Sequence, residues 1–430
     1  MKKLHLSNEI KYVLEKFKEC GVEAYIVGGA VRDYLMGKSP DDFDVTTAAL
    51  PHKVKEIFAE QKIIETGIKH GTVTVIVNGV SIEITTYRTD VGYSDNRHPD
   101  KVVFSGNLQD DLSRRDFTVN AICYNPVTGF TDLFGGTQDI KNKILRTVGN
   151  AETRFTEDAL RILRAVRFIS VLNFNPDPST EKAVFECAEL LKNVSAERIF
   201  VEFKKMLSGV ARKSVCSKYF SVLQKAIPPL ENCLYNENPD NLNIADKKEN
   251  KKPCENNNLP DFSALEKCNI ADIPLLLTVF FICACKKEPL ETAEKSLNFL
   301  KCDNKTKSGV LSLIKMFLNV VPKTQVQIKT ALYEFGEETV LKSFDVFYAF
   351  DLLPEKEKEE QKSQTAQIIE SKDCYKISML DIKGGNIKKA GYSGEEIGEK
   401  LKELLFAVIN GKVNNNRKDL IEHLKSKQSF

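Results

Sequence analysis

Between residues 24 and 47 the chain reads AYIVGGAVRDYLMGKSPDDFDVTT, and this stretch limits the fold more than any other. Tyr25-Ile26-Val27 is an apolar run of the length of a short buried strand. Gly28 and Gly29 follow at once. Val31-Arg32-Asp33 then opens a short amphipathic turn that Gly37 stops. Ser39-Pro40 breaks the chain again, and a second short strand is expected to carry Asp42-Phe43-Asp44. Alternation along that strand would put Asp42 and Asp44 on one face and Phe43 in the core. Two carboxylates on one rigid face suit hard divalent cations. A double glycine lets backbone N–H groups approach an anion closely. Either feature alone is usually a plain turn. Together they read as a triphosphate cradle beside a two-metal site.

Residues 71–87, GTVTVIVNGVSIEITTY, have the pattern of a β-hairpin. Both arms are β-branched and alternating, and Asn78-Gly79 signals a two-residue type I′ turn. Glu83 sits between Ile82 and Ile84, where a carboxylate needs a partner. It is either a third metal-site carboxylate or a surface glutamate on an edge strand. Residues 88–104 are polar and rich in turn formers, which predicts a mobile loop. In 110–121, DDLSRRDFTVNA, a guanidinium of Arg114-Arg115 is suited to bidentate binding of triphosphate or ribose, and Asn120 lies one helical turn beyond Asp116. Residues 155–170, FTEDALRILRAVRFIS, predict one continuous helix with Thr156 as N-cap. Its apolar residues share one arc, while Asp158, Arg161, Arg164 and Arg167 follow one another at i, i+3 on the other side. Residues 194–207 predict a further helix capped by Ser195.

GGAVRD followed by DFD resembles the signature of nucleotidyltransferases that share the DNA polymerase β catalytic head. Within that group the chain is similar to the bacterial (class II) tRNA nucleotidyltransferases, the CCA-adding enzymes, and to the bacterial poly(A) polymerases. RRD with Asn120 resembles their second motif, DLFGG with Asp139 the flexible third, and EDALR the fourth; the helix at 194–207 resembles the fifth, a brace for the fourth. The resemblance implies that Asp42, Asp44 and Glu83 are catalytic, with Mg²⁺ on Asp42 and Asp44. It implies nucleotide binding by Gly28, Gly29, Arg32, Arg115, Asp116, Asn120, Asp158, Arg161, Arg164 and Arg167. Chemistry supplies a reason for the EDxxR pair. Cytosine and adenine both place an amino donor beside a ring-nitrogen acceptor, whereas uracil and guanine put a carbonyl where the amino group sits. Asp158 would accept from the amino group and Arg161 would donate to the ring nitrogen, a protein template for C and A. Arg164 and Arg167 would meet phosphate or ribose. The loop at 88–104, with Tyr93, Asp95, Arg97 and Pro99, resembles the loop that CCA- and A-adding enzymes keep and CC-adding enzymes shorten.

The rest of the chain bounds this reading. At 430 residues there is room for several domains. A net charge of +2 does not mark the whole chain as nucleic-acid binding, so any RNA surface has to be local. Eleven cysteines form no framework, and Cys283-x-Cys285 has the wrong spacing for zinc, so zinc is not expected. The N-terminus lacks the apolar core of a signal peptide, and the run 273–285 is too short to span a bilayer. A soluble, cytoplasmic protein with no membrane partner is expected. Residues 231–267 are rich in Asn, Lys, Glu and Pro and predict an extended or partly disordered insertion. In 384–424, Lys388, Lys389 and Arg417 are candidate RNA-binding residues.

The expected fold is α+β: a nucleotidyltransferase head of mixed sheet plus helices at 1–149, a helical neck with the base-selecting helix at 150–210, a helical body at 211–350 and a helical, tRNA-binding tail at 351–430. The expected function is template-independent addition of CCA to the tRNA 3′ end from CTP and ATP. The alternatives are an A-adding enzyme or poly(A) polymerase, an idle RNA-binding relative, and a small-molecule nucleotidyltransferase.

Overall fold

In a computed structural model, which describes residues 4–40, 42–92, 101–231, 233 and 260–426, the chain divides into two units, Met1–Pro228 and Pro229–Phe430. The first unit opens with α1 (Asn8–Glu19), whose Ser7 side chain accepts from Ile10 N, then β1 (Ala24–Val27), α2 (Gly29–Leu35), β2 (Asp44–Thr47), α3 (Pro51–Ile57) and β3 (Lys62–Ile64). The hairpin follows as β4 (Thr72–Val77) and β5 (Val80–Thr86). Its turn residues Asn78 and Gly79 have φ of 49° and 83°, the positive pair that a type I′ turn requires. Seven strands make one mixed sheet in the order β3-β4-β5-β2-β1-β8-β9, with β8 (Ile122–Asn125) and β9 (Gly129–Asp132) as a second hairpin. β1 runs antiparallel to β2 and β8, whereas β2 and β5 are parallel. Beneath the sheet lies a core that includes Tyr25, Val27, Tyr87, Leu112, Ala121 and Cys123.

Three expectations change here. Asp42 and Phe43 precede β2, which begins at Asp44, and Phe43 is only half-buried. The loop at 88–104 is rooted in a two-stranded ribbon, β6 (Arg88–Val91) against β7 (Lys101–Phe104). Its alternating residues pair as strands despite their polarity. Tyr93, Asp95, Arg97 and Pro99 lie outside the described residues. The continuous helix at 155–170 is two helices. After α4 (Leu108–Ser113), α5 (Gly136–Asn142) and the short β10 (Ile144–Leu145), α6 (Ala151–Glu157) is capped by Asn150, not Thr156. Asp158 is extended (φ −137°, ψ 103°), and α7 (Leu160–Leu172) begins afresh. No Gly or Pro marks that break. It is held from outside by side-chain bonds described below.

The unit continues through β11 (Asn175–Pro176), parallel to β10, then α8 (Pro178–Glu186) and α9 (Ala196–Leu207), which packs on α7. Among the described residues of the second unit there are helices and no strands. The run Ile273–Ala284 is a helix with ten consecutive buried residues from Leu275, as its apolar composition predicts. No described helix is long and apolar enough to cross a membrane. Most of the 231–267 insertion lies outside the described residues, but its end, Ser263–Lys267, forms a 3-10 turn beside the fully buried Phe262. There the expectation of extended chain gives way to the anchoring of an aromatic side chain. Cores at Ile328, Phe344 and Phe347 and at Leu380, Leu404 and Leu405 fill the second unit.

Candidate active site

Parallel pairing of β2 and β5 puts Glu83 directly beside Asp44. Register neighbours share a face, so both carboxylates project from the same side of the sheet, with Asp42 just before them. β5 is an interior strand, so the edge-strand alternative for Glu83 is corrected. The three acids repel one another. Burial first, then Asp42 and Glu83, push the Asp44 carboxyl up from 3.8 to about 6, and only Arg115 pulls it down.

Arg115 completes the face. A Cβ placed on Gly28 would lie 3.6 Å from Arg115 Nη1 and 4.0 Å from Asp44 Oδ2, so the glycine stands at the mouth between cation and anion. Gly28 also has φ of 80°, which L side chains avoid. Arg115 Nε is buried with no protein partner, an N–H that an anion would satisfy. Gly29 faces Arg32, whose Nη2 is 3.6 Å from its would-be Cβ.

The other predicted arginines are tied to protein partners. Arg32 Nη1 donates to Asn120 Oδ1 (2.7 Å), Asn120 Nδ2 to Asp116 Oδ1 (3.1 Å), and Arg164 to Asp116 Oδ2 through Nε (2.8 Å) and Nη2 (2.5 Å). Burial would raise the Asp116 carboxyl, but Arg164, Asn120 and Arg161 outweigh it and hold it at about 2. Arg167 pairs with Glu202 of α9 at 2.5 Å, and burial pushes it down to about 10. The guanidiniums of Arg32, Arg164 and Arg167 lie 5.2, 5.5 and 3.9 Å from the Phe168 ring centroid. Asp116, Asn120, Arg164 and Arg167 were expected to face the nucleotide. The structure gives each of them a buried polar partner that it could leave only at a cost. This network clamps α2 and the Asp116 turn onto α7.

The base-selecting candidates stand at the helix break. Asp158 accepts from Leu160 N (3.1 Å) and from Arg198 Nη2 (3.0 Å to Oδ2), the brace coming from α9. Arg161 Nη1 donates to Glu157 Oε2 (2.6 Å) and the Arg154 carbonyl (3.1 Å), and its Nη2 donates to the Arg114 carbonyl (2.9 Å). These bonds hold the break open. Sequence reasoning missed Asp111, Phe168 and Glu202. Each reads as an ordinary residue of its helix, and only burial reveals its partners. Asp139, in the third motif, is buried and accepts from Thr118 Oγ1 (2.7 Å) and Arg146 Nε (3.2 Å). In the second unit Lys388, Lys389 and Arg417 are exposed. An apolar cavity of about 560 Å³, lined by Leu6, Leu14, Tyr25 and Tyr124, lies at the end of β1 away from Gly28 and takes no part in the site.

Residues 24–146 match the family described as "Poly A polymerase head domain", 173–214 "Probable RNA and SrmB- binding site of polymerase A", and 276–424 "tRNA nucleotidyltransferase domain 2". A CCA-adding enzyme of Lactobacillus johnsonii is 36% identical over 416 residues, which cover 96% of this chain and 95% of that protein. The chain belongs to the CCA-adding enzyme family. Another family member, the CCA-adding enzyme of Lactobacillus helveticus, is 54% identical over 197 residues, and that alignment spans 46% of this chain and 49% of that protein. The crystal structure of the Bacillus stearothermophilus CCA-adding enzyme in complex with CTP matches with a TM-score of 0.76 and 27% identity, over 100% of each chain.

CCA-adding enzymes, like other nucleotidyltransferases, generally work with divalent metals, and the carboxylate face fits that chemistry. Among the described residues no group of three His, Cys, Asp or Glu side chains already closes around a metal position. An open pair is what Mg²⁺ uses, since it keeps water and substrate phosphates as its other ligands. The Asp44 carboxyl is raised first by burial and then by Asp42 and Glu83, and a bound cation would relieve that repulsion.

Proposed function

We propose that this chain adds C, C and A to the 3′ end of tRNA from CTP and ATP, without a nucleic-acid template. The observation that carries the reading is the meeting of Asp44, Glu83, Gly28 and Arg115 at one mouth, with Arg161 bonded to the neighbouring Arg114 carbonyl. Asp42 and Asp44, with Glu83 beside them, would hold Mg²⁺, which when bound neutralises triphosphate charge and acidifies the attacking 3′-hydroxyl. Arg115 Nε and Nη1 would bind the triphosphate against the Gly28-Gly29 backbone.

Asp158 keeps free lone pairs despite Arg198, because a carboxylate offers about four acceptor sites. It accepts from the base's amino group. Arg161 keeps its Nε–H and one Nη2 hydrogen for the ring nitrogen. Uracil and guanine would leave buried groups unpaired and be refused. Lys388, Lys389 and Arg417 would meet RNA phosphates, since an A-form helix is read by shape and backbone. The cytoplasm is the matching compartment.

The deciding assay offers each labelled NTP singly, with Mg²⁺, to tRNA transcripts lacking CCA, ending in C and ending in CC. CTP should extend the first two and ATP only the third, with UTP and GTP refused. Use of ATP alone on CC ends would make the chain an A-adding enzyme, and long A tails a poly(A) polymerase.

A second expected result needs no turnover. The Asp44 carboxyl sits above its ordinary value, so the metal-free fold holds this proton more readily than the unfolded chain does. That contribution to stability is complete below about pH 4 and is lost as the pH rises through about 6. Mg²⁺ acts in the opposite sense, because it needs the ionised carboxylate. The rise in Tm on adding Mg²⁺ should therefore be large at pH 7.5 and fade below about pH 6. An equal rise at pH 5 and 7.5 would remove Asp44 from the metal site.

A further inference from the structure

Two cysteines meet in the second unit, away from the carboxylate face. Cys285 caps the end of the buried helix Ile273–Ala284, and Cys233 stands near the start of the 231–267 insertion. Both are buried and neither is in a disulfide. The Cys233 thiol donates to the Cys285 sulfur. That sulfur also accepts from the Thr292 hydroxyl and from the backbone N–H groups of Glu288 and Lys287. Glu288 is the N-cap of the helix Pro289–Phe299, so the sulfur faces the positive end of an 11-residue helix. Hydrogen bonds to an ionised group favour its charged form. Donation from Cys233, joined by Thr292 and the two N–H groups, holds the Cys285 thiol below its ordinary range although burial acts against it. The same contact, with burial, pushes the Cys233 thiol up. Cys283, two residues before Cys285, is pushed up by burial. Lys286, Lys287 and Glu288 are exposed, so the cradle around Cys285 borders solvent.

We propose that Cys285 and Cys233 are a thiol pair that reacts with hydrogen peroxide, with Cys285 as the nucleophile and Cys233 as the thiol that closes the disulfide. A cysteine that only fills space is an inert thiol, whereas reactivity follows the thiolate. Four donors around one sulfur are what a thiolate needs. The Cys285 thiolate attacks one oxygen of the peroxide, the O–O bond breaks and hydroxide leaves, so that Cys285 becomes a sulfenic acid. Its negative charge is then gone, and with it the contact that kept Cys233 protonated. The Cys233 thiol gives its proton to the departed hydroxide and attacks the Cys285 sulfur. The S–O bond breaks, and a second hydroxide leaves and takes from solvent the proton that Cys285 lost on ionising. Two thiols have lost two electrons, and the peroxide has been reduced to two waters. The disulfide ties the start of the insertion to the end of the helix Ile273–Ala284 and closes a loop of about 50 residues. In a reducing compartment such a bond is transient.

The wild-type full chain carries the deciding measurement, so nothing depends on a variant that fails to fold. The reduced protein is treated with hydrogen peroxide, its remaining thiols are alkylated, and its peptides are mapped by mass spectrometry. A Cys233–Cys285 disulfide, removed by dithiothreitol, is the expected product. Cys285 joined to any other cysteine, or oxidation of exposed Cys20 with Cys285 left as a thiol, overturns the proposal. The two roles are separated by trapping with dimedone, which labels sulfenic acids. Cys233→Ser should stop at a sulfenic acid on Cys285 and take up the label there. Cys285→Ser should leave Cys233 unlabelled. Label on Cys233 in Cys285→Ser, with none on Cys285 in Cys233→Ser, overturns the assignment of the nucleophile. Closing a loop of this length constrains the unfolded chain, so the peroxide-treated wild type should melt roughly 5 °C or more above the reduced protein, and dithiothreitol should reverse the rise. Cys233→Ser should show no such rise. An equal rise in Cys233→Ser and wild type would place the stabilising bond elsewhere and overturn the pair.

Discussion

Alanine at Asp42 or at Asp44 is expected to lower single-turnover nucleotidyl transfer at least about a thousandfold, or ~4 kcal/mol of transition-state stabilisation. The fold should survive. Both residues stand at the entry to β2, and neither belongs to the core beneath the sheet. Asp44→Ala in fact removes a repelled carboxylate, so without metal at pH 7.5 its Tm should equal or exceed that of the wild type. The rise in Tm on adding Mg²⁺ should shrink in both variants. Glu83→Gln keeps the shape of the third carboxyl and should give a smaller loss than either. Wild-type transfer by Asp42→Ala or Asp44→Ala would sink the two-metal assignment.

The second large effect is on choice rather than rate. Asp158→Ala removes the acceptor for the base's amino group, so discrimination against UTP and GTP should relax. A missing partner in a buried polar site is worth about 1–3 kcal/mol, or roughly five- to a hundredfold in selectivity. The same change strips Arg198 of its carboxylate, so a control is needed. Arg198→Ala loosens the helix break but leaves the acceptor in place, and it should slow all nucleotides without admitting U or G. Arg161→Ala should slow CTP and ATP together, because both use the same ring-nitrogen contact. Arg115→Ala should slow the four NTPs in proportion. The measurement is kcat/KM for each NTP on tRNA ending in CC and on tRNA lacking CCA. If Asp158→Ala lowers every NTP by one factor, this turn is scaffold and base choice resides elsewhere.

Much of the head was legible because short-range rules govern it. Asn78-Gly79 admits few turns, so the 71–87 hairpin and its register follow from local geometry. The glycine pair and the acids at 42 and 44 carry their meaning in residue type and spacing. The helix at 155–170 misled because its apolar periodicity continues across Asp158, and periodicity reports which face is buried, not whether the backbone is unbroken. The same blindness put Arg164 and Arg167 on a free cationic face, when Asp116 and Glu202 reach them from elements 48 and 35 positions away in the chain.

The sequence by itself determined which residues can do chemistry here: the acids suited to cations, the glycines with no Cβ at the mouth, the hairpin that carries Glu83 and the donor–acceptor pair suited to C and A. These are properties of single residues and their near neighbours, and they hold whatever the rest of the chain does. Tertiary structure decided which of them meet. Pairing of β2 with β5 set Glu83 beside Asp44, and packing of α9 on α7 brought Arg198 to Asp158 at the helix break. Burial then turned Asp111 and Asp116 into clamps for arginines that a sequence shows only as surface charge. The reason is that a buried carboxylate must find cations wherever the fold brings them, and that distance is not written in the local pattern.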